Sequence, residues 1–186
     1  MSLRAPLILI ALLSCSAFIT ATQTATDTTT DPQSLAGRPA PRIEGREHVG
    51  PRVPGVDELK GKVVLLFFWA HWCADCKPES PIIARALNKY RTQGLTLIAP
   101  TRRYGFVGAG LPAAWDQERR HLLQVRDAYY GFLREVPVPI SEANYREYGI
   151  DSIPTYVLID RKGIVRLYNA GRMTEAELEA AIRKVL

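Results

Sequence analysis

A chain of 186 residues, 47% hydrophobic and 23% charged, can bury one sizeable core and still have residues to spare. Its net charge of +5 is modest, and Lys and Arg form no long run. The basic pairs Arg102-Arg103 and Arg119-Arg120 read as solvated surface, and no aromatic and basic residues alternate as a single-strand binder needs, which excludes nucleic acid as a partner.

Taken in chain order, the first residues read as an export signal rather than as part of the fold. Arg4 supplies a short positive region, and the apolar run Leu7 to Leu13 is too short to span a bilayer. Small residues follow at Ser14, Cys15, Ser16 and Ala17. Residues 1–21 are therefore expected to be a signal with one of two endings. Leu12-Leu13-Ser14-Cys15 resembles a lipobox, in which Cys15 becomes the lipidated N-terminus; ordinary cleavage instead falls after Ala17 or Ala21. Residues 22–41 are rich in Thr and Pro and poor in apolar side chains, so they are expected to be a flexible spacer. The folded domain is assigned to residues 42–186.

Within it, Val63-Val64-Leu65-Leu66-Phe67-Phe68-Trp69 is a continuous apolar run, the pattern of a central strand buried on both faces. After Cys73, apolar residues at Ile82, Ile83, Ala86, Leu87 and Tyr90 recur at helical spacing as far as Gly94. Leu95 to Ala99 reads as the next strand. Gly105 to Pro112 is loop-like, and one long helix is expected to carry Leu122, Leu123, Val125, Tyr129, Phe132 and Leu133. Val138-Pro139-Ile140 is a short extended segment before a short helix from Glu142 to Tyr148. Tyr156 to Ile159 and Ile164 to Tyr168 are strands joined by the turn Asp160-Arg161-Lys162-Gly163. Thr174-Glu175-Ala176-Glu177 is a capping box that opens a last helix through Leu178, Ile182 and Val185. This order implies an α/β fold: a central mixed sheet with helices on both faces.

Chemistry concentrates in Cys73-Ala74-Asp75-Cys76, where the apolar strand gives way to a helix. Of three cysteines, Cys15 lies in the signal, which leaves Cys73 and Cys76 to pair in the domain. So short a loop gains little entropy from a bridge, so a structural staple is a weak reading. Half a metal site and a redox couple remain. A cysteine at or just before a helix N-terminus meets unpaired N–H groups that stabilise a thiolate, which makes Cys73 the nucleophile. Cys76, one turn further in and more buried, resolves the mixed disulfide.

Trp72-Cys73-Ala74-Asp75-Cys76-Lys77 after a buried strand resembles the active site of the thioredoxin superfamily. Phe68-Trp69-Ala70-His71-Trp72-Cys73, followed by Glu79 and Pro81, is similar to the TlpA/ResA-like thiol–disulfide oxidoreductases. Ser152-Ile153-Pro154-Thr155 resembles their cis-proline loop, and Asp160 with Gly163 their strand-turn-strand ending. The likeness runs from about residue 37 to the end. It implies a thioredoxin-like fold and exchange with protein disulfides, with no cofactor beyond the cysteine pair and no metal. It also implies a monomer outside the cytosol, periplasmic or membrane-tethered. There a membrane thiol-transfer protein would supply electrons, for cytochrome c maturation or general thiol homeostasis.

Site roles follow. Trp72 is expected at the rim beside Cys73 and Trp69 in the core. A cis Ile153–Pro154 bond brings Ile153 beside the sulfurs, where its backbone can pair with an extended substrate. Glu79 resembles the family's active-site glutamate and can exchange the proton of Cys76, unless it is a plain exposed helix residue. Pro81 is expected to bend the helix. Two departures from thioredoxins stand out. Phe67 replaces a buried acid, and Ala74-Asp75 replaces the common Gly-Pro or Glu-Pro. The Asp75 charge opposes thiolate formation at Cys73, which argues for a reductant, while His71 and Lys77 oppose that effect if they lie close. Two alternatives use the same residues. A copper or metal chaperone would combine the cysteines with His48, His71 or His121, although these histidines are scattered in sequence. A peroxiredoxin-like peroxidase would need a Thr-containing loop where Trp69-Ala70-His71-Trp72 stands. Attachment of c-type haem fails because Lys77 occupies the position of the required His.

Overall fold

The computed structural model describes residues 35–186, so the expected signal, Cys15 and most of the expected spacer lie outside the described residues. The domain starts earlier than residue 42. Leu35 is buried, Gly37 and Ala40 donate to Val165 O and Gly163 O, and Pro39 bridges Ile164. An unpaired strand edge holds this stretch by its backbone, a signal that side-chain composition does not carry.

Strand β1 (His48–Val49) and helix α1 (Val56–Leu59) precede β2 (Val63–Phe68), every residue of which is buried. Helix α2 (Glu79–Tyr90) closes with a single 3₁₀ turn and Gly94 at φ 100°, a left-handed backbone that suits glycine, and leads into β3 (Leu95–Ile98). An insertion follows. Its hairpin of β4 (Phe106–Val107) and β5 (Leu111–Pro112) replaces the expected loop, and Gly108 and Gly110 at positive φ make the reversal. Helix α3 (Trp115–Tyr129) then stops earlier than the apolar spacing implies. Tyr130 leaves helical geometry before Gly131, and Phe132 and Leu133 lie in a separate 3₁₀ segment. β6 (Val138–Pro139) pairs with β1, and α4 (Glu142–Glu147) follows. β7 (Thr155–Ile159), β8 (Val165–Ala170) and α5 (Glu175–Arg183) complete the chain. The capping box at Thr174 and Glu177 forms as expected.

The main sheet has the order β3-β2-β7-β8, with β2 parallel to β3 and antiparallel to β7. It is the mixed sheet expected of a thioredoxin-like α/β fold. Alternation along β2 divides the core into two layers. Val63, Leu65 and Phe67 join Trp69 and the apolar faces of α2, α3 and α5. Val64, Leu66 and Phe68 face Tyr145, Tyr148 and Ile150 on the other side. A strand buried on both faces thus reads as unbroken apolar sequence.

Where β2 ends, its backbone is fixed by polar side chains. The Trp69 carbonyl accepts from Thr101 Oγ1 at 2.8 Å and from the Tyr145 hydroxyl at 2.9 Å. Because Tyr145 has given up its one proton, Tyr104 must be the donor in its 3.1 Å contact with Tyr145. Thr101→Val and Tyr145→Phe should each lower stability by about 1 kcal/mol, since one donor still serves the carbonyl. The double variant leaves it orphaned and should lose about 3 kcal/mol, more than the sum. Urea midpoints of the four proteins check this.

Candidate active site

The β2–β7 register pairs Phe68 with Thr155, so the segments just beyond that pair, Trp69 onward and Pro154 backward, emerge at the same sheet end. The Ile153–Pro154 peptide is cis, as expected. Cys73 N–H donates to Ala70 O, making a turn with His71 and Trp72 at its corners. Cys73 and Cys76 are joined in a disulfide, S–S 1.98 Å. Cys73 keeps 3% exposure and Cys76 none, so of the pair only Cys73 borders solvent. Trp72 is 43% exposed at the rim, while Trp69 is fully buried, donates to Ala99 O and packs on Tyr130.

The helix begins later than expected. Residues 74–78 form successive tight turns, with Lys77 N–H to Ala74 O and Glu79 N–H to Cys76 O, and α2 starts only at Glu79. The Cys76 N–H still points at Cys73 Sγ, 3.1 Å away. Pro81 therefore does not bend a helix already under way. It lies in the first turn of α2, where a missing N–H breaks no intrahelical bond.

Glu79 is not an exposed helix glutamate: it is completely buried. Its Oε2 accepts from the Tyr156 hydroxyl at 2.6 Å and from Met173 N–H at 3.0 Å, and its Oε1 accepts from Arg172 Nε at 2.9 Å. These bonds compensate the burial and occupy three of about four lone-pair sites, leaving one on Oε1. Burial first, and then Glu79 beside it, push the Tyr156 phenol far above its ordinary value. Arg172 is held in its charged form by Glu79, and Asp75 adds a smaller attraction.

His71 and Lys77, expected to oppose the Asp75 charge if they lie close, engage other groups. Lys77 Nζ lies over the Tyr129 ring at 4.1 Å. His71 is 2% exposed, with Nε2 3.4 Å from Glu118 Oε1 but without hydrogen-bond geometry at either ring nitrogen. His121 is not scattered from it, for the two rings stand 5.2 Å apart because the insertion folds back. His48 is elsewhere, with Nδ1 at Gly45 O. Among the described residues, no group of three or more His, Cys, Asp or Glu side chains is placed to hold a metal ion. The pair Arg102-Arg103 is also more than solvated surface. Arg102 binds Glu142 and covers the Tyr145 ring, and Arg103 binds Glu47 and covers Trp115.

Sequence reasoning missed Tyr156, Arg172, Met173 and Glu118. Tyr156, two residues after Pro154 and second in β7, was within its reach. Arg172 and Met173 arrive from the β8–α5 connection, and no local pattern announces them.

Comparison with known proteins agrees with this geometry. Residues 35–182 match the Redoxin family. The chain is similar to the thiol-disulfide oxidoreductase ResA of Bacillus subtilis, 29% identical over 149 residues covering 75% of this chain and 70% of that one. Against ResA of Bacillus thuringiensis it is 28% identical over 151 residues, 80% and 78% of the two chains. A solved thiol:disulfide interchange protein DsbE from Chlorobium tepidum superposes with a TM-score of 0.61 at 26% identity, over 81% of this chain and 96% of that one. The chain belongs to the redoxin family, within the thioredoxin superfamily, and is a ResA-like thiol–disulfide oxidoreductase.

Burial, opposed by the Glu118 carboxylate, lowers the pKa of His71 below its ordinary value, and His121 adds to the lowering. The fold therefore favours neutral imidazole. Its contribution to stability is complete above the unfolded pKa of about 6.5 and is lost as pH falls through the folded value. Between pH 7 and 5 the wild-type urea midpoint should fall further than that of His71→Phe. Equal falls would remove His71 from the titration.

Proposed function

We propose that this redoxin-family oxidoreductase reduces protein disulfides outside the cytosol. One observation carries the reading: the sheet register sets the Cys73–Cys76 pair beside the cis Ile153–Pro154 loop, with only Cys73 bordering solvent. Reduced Cys73, as thiolate, attacks one sulfur of a substrate disulfide lying against Trp72 and the Ile153–Pro154 backbone, and the other substrate sulfur leaves as thiolate. Cys76 then gives up its proton and attacks Cys73 Sγ. The Cys73–Cys76 bridge forms, the second substrate thiolate leaves, and two electrons have passed from the protein to the substrate. Glu79, one turn after Cys76, takes that proton on its remaining lone pair. The two thiols carry both electrons, so no flavin, nicotinamide or metal enters the scheme.

The charges around Cys73 support the reducing direction. A strong oxidant needs a very stable thiolate. Here α2 begins at Glu79, beyond the turns that hold the cysteines, and Cys73 Sγ receives one backbone N–H, that of Cys76. Arg172 is paired with Glu79 at 2.9 Å, and Asp75, within the Cys73–Cys76 turn, adds a further negative charge. Both features favour the thiol and hence the reductant. A reductant outside the cytosol must be recharged, and a membrane thiol-transfer protein fits that need. The signal-like residues 1–21, with Cys15 as a lipid anchor or with cleavage after Ala17 or Ala21, agree with that location. A monomer suffices for the chemistry, and cytochrome c maturation or general thiol homeostasis are the tasks it suits.

The Cys73/Cys76 couple should have a reduction potential near that of thioredoxin, about −270 mV; a value near about −120 mV would overturn the reductase direction. Cys76→Ser should accumulate a mixed disulfide through Cys73, visible as an added mass that dithiothreitol removes. Glu79→Gln should slow the resolving step on the order of 100-fold and flatten its pH profile. An unchanged rate and profile would take the proton role away from Glu79.

A further inference from the structure

The insertion between β3 and β6 lies along the active-site segment from end to end. At one end, the Tyr104 ring stands edge-on to Trp72 with centroids 5.3 Å apart, and Phe106 is 6.2 Å from Trp72. The same two rings close on His71 at 5.6 and 5.7 Å. At the other end, Ser80 Oγ donates to Tyr129 O at 2.7 Å, and Lys77 lies over the Tyr129 ring. The stretch is rigidly set. Glu118, buried at 1% exposure, accepts Tyr104 N–H at 2.6 Å and Gly105 N–H at 2.9 Å, which fixes the Tyr104–Phe106 backbone to α3.

The insertion exposes large apolar side chains beside the active-site segment. Of the four large hydrophobic residues exposed among the described residues, Leu111 and Tyr129 belong to the insertion and Trp72 packs against it. Arg102 and Arg103 at its base are engaged by Glu142 and Glu47. Those arginines therefore give it no free charge with which to favour an anionic partner. In the sheet order β3-β2-β7 the insertion leaves from β3 and the Ile153–Pro154 loop enters β7, on opposite sides of the strand that leads to Cys73, so a substrate disulfide reaching Cys73 has this aromatic wall on one side.

We propose that the insertion is a selecting wall, in which Phe106 and Trp72 favour an extended polypeptide segment with an apolar side chain next to its disulfide cysteine. The inference rests on the reductase reading above and names its substrate class. Tyr104 is a positioning residue, holding the wall against Trp72, and Phe106 is the specificity-determining contact. The preference comes from burying apolar surface of the substrate against the two rings, and an open wall gives a moderate effect.

The test uses chemically reduced protein and three short peptides, each with one cysteine in mixed disulfide with glutathione, flanked on both sides by Leu, Ser or Asp. Each single-turnover rate is divided by the rate of the same peptide with dithiothreitol. Wild type should favour the Leu-flanked over the Ser-flanked peptide by about fivefold. Phe106→Ser should bring that ratio to about one. Phe106→Lys, at a half-exposed position where a long stem can reach water, should move the preference to the Asp-flanked peptide, a gain that misfolding cannot produce. Equal rates for wild type, or an unchanged order of peptides in Phe106→Lys, would overturn the selecting wall and leave the reductase reading standing. Failure of wild type to reduce any of the three would overturn both.

Discussion

The antiparallel pairing of β2 with β7 is the constraint on which the rest of the site depends. With Phe68 opposite Thr155, the chain that leaves β2 and the chain that enters β7 cannot avoid meeting at the same sheet end. A slip of one residue would turn Phe67 and Phe68 to the wrong layers, and both layers are fully packed. The register is therefore held by the whole core. The active-site geometry inherits that stability, and the bonds of Thr101 and Tyr145 to the Trp69 carbonyl add to it.

Two buried carboxylates extend this control to either side of the sulfurs. Glu79 joins α2 to β7 through Tyr156 and to the β8–α5 connection through Arg172 and Met173. Glu118 joins the insertion to its own hairpin and faces His71 in the active-site turn. Burying a carboxylate costs several kcal/mol unless donors replace water, and here each has them. Such groups tolerate few alternative arrangements, because any shift that breaks a bond leaves a buried charge exposed to that cost. They make the flanks of the site specific rather than merely stable.

What the sequence conveyed sorts by range. The apolar run at Val63 to Trp69, the capping box at Thr174 and the turn at Asp160 to Gly163 are local patterns, and each forms where expected. Cys73, Cys76, Trp72, Ile153 and Pro154 were legible because their order and flanks carry a specific resemblance. Positions that depend on long-range return of the chain were not. His71 and His121 look scattered until the insertion folds back. Arg172 looks like any surface arginine until the β8–α5 connection brings it to Glu79. The late start of α2 escaped for a different reason. Apolar spacing begins at Ile82, and the residues between it and Cys73 have no period with which to distinguish successive turns from a helix.

That late start bears on the electrostatics of the pair. A cysteine at a helix N-terminus faces several free N–H groups and the positive end of the dipole, whose influence fades within one turn. Here Cys73 is separated from α2 by the turns that carry Ala74 to Pro78, and the Cys76 N–H is the donor that reaches its sulfur. Asp75 adds a negative charge, and Arg172, whose attraction reaches it, is already engaged by Glu79. On the reductase reading proposed above, a dithiol whose attacking thiolate is weakly stabilised gives up its electrons readily, and both the backbone at Cys73 and the Asp75 charge support that reading.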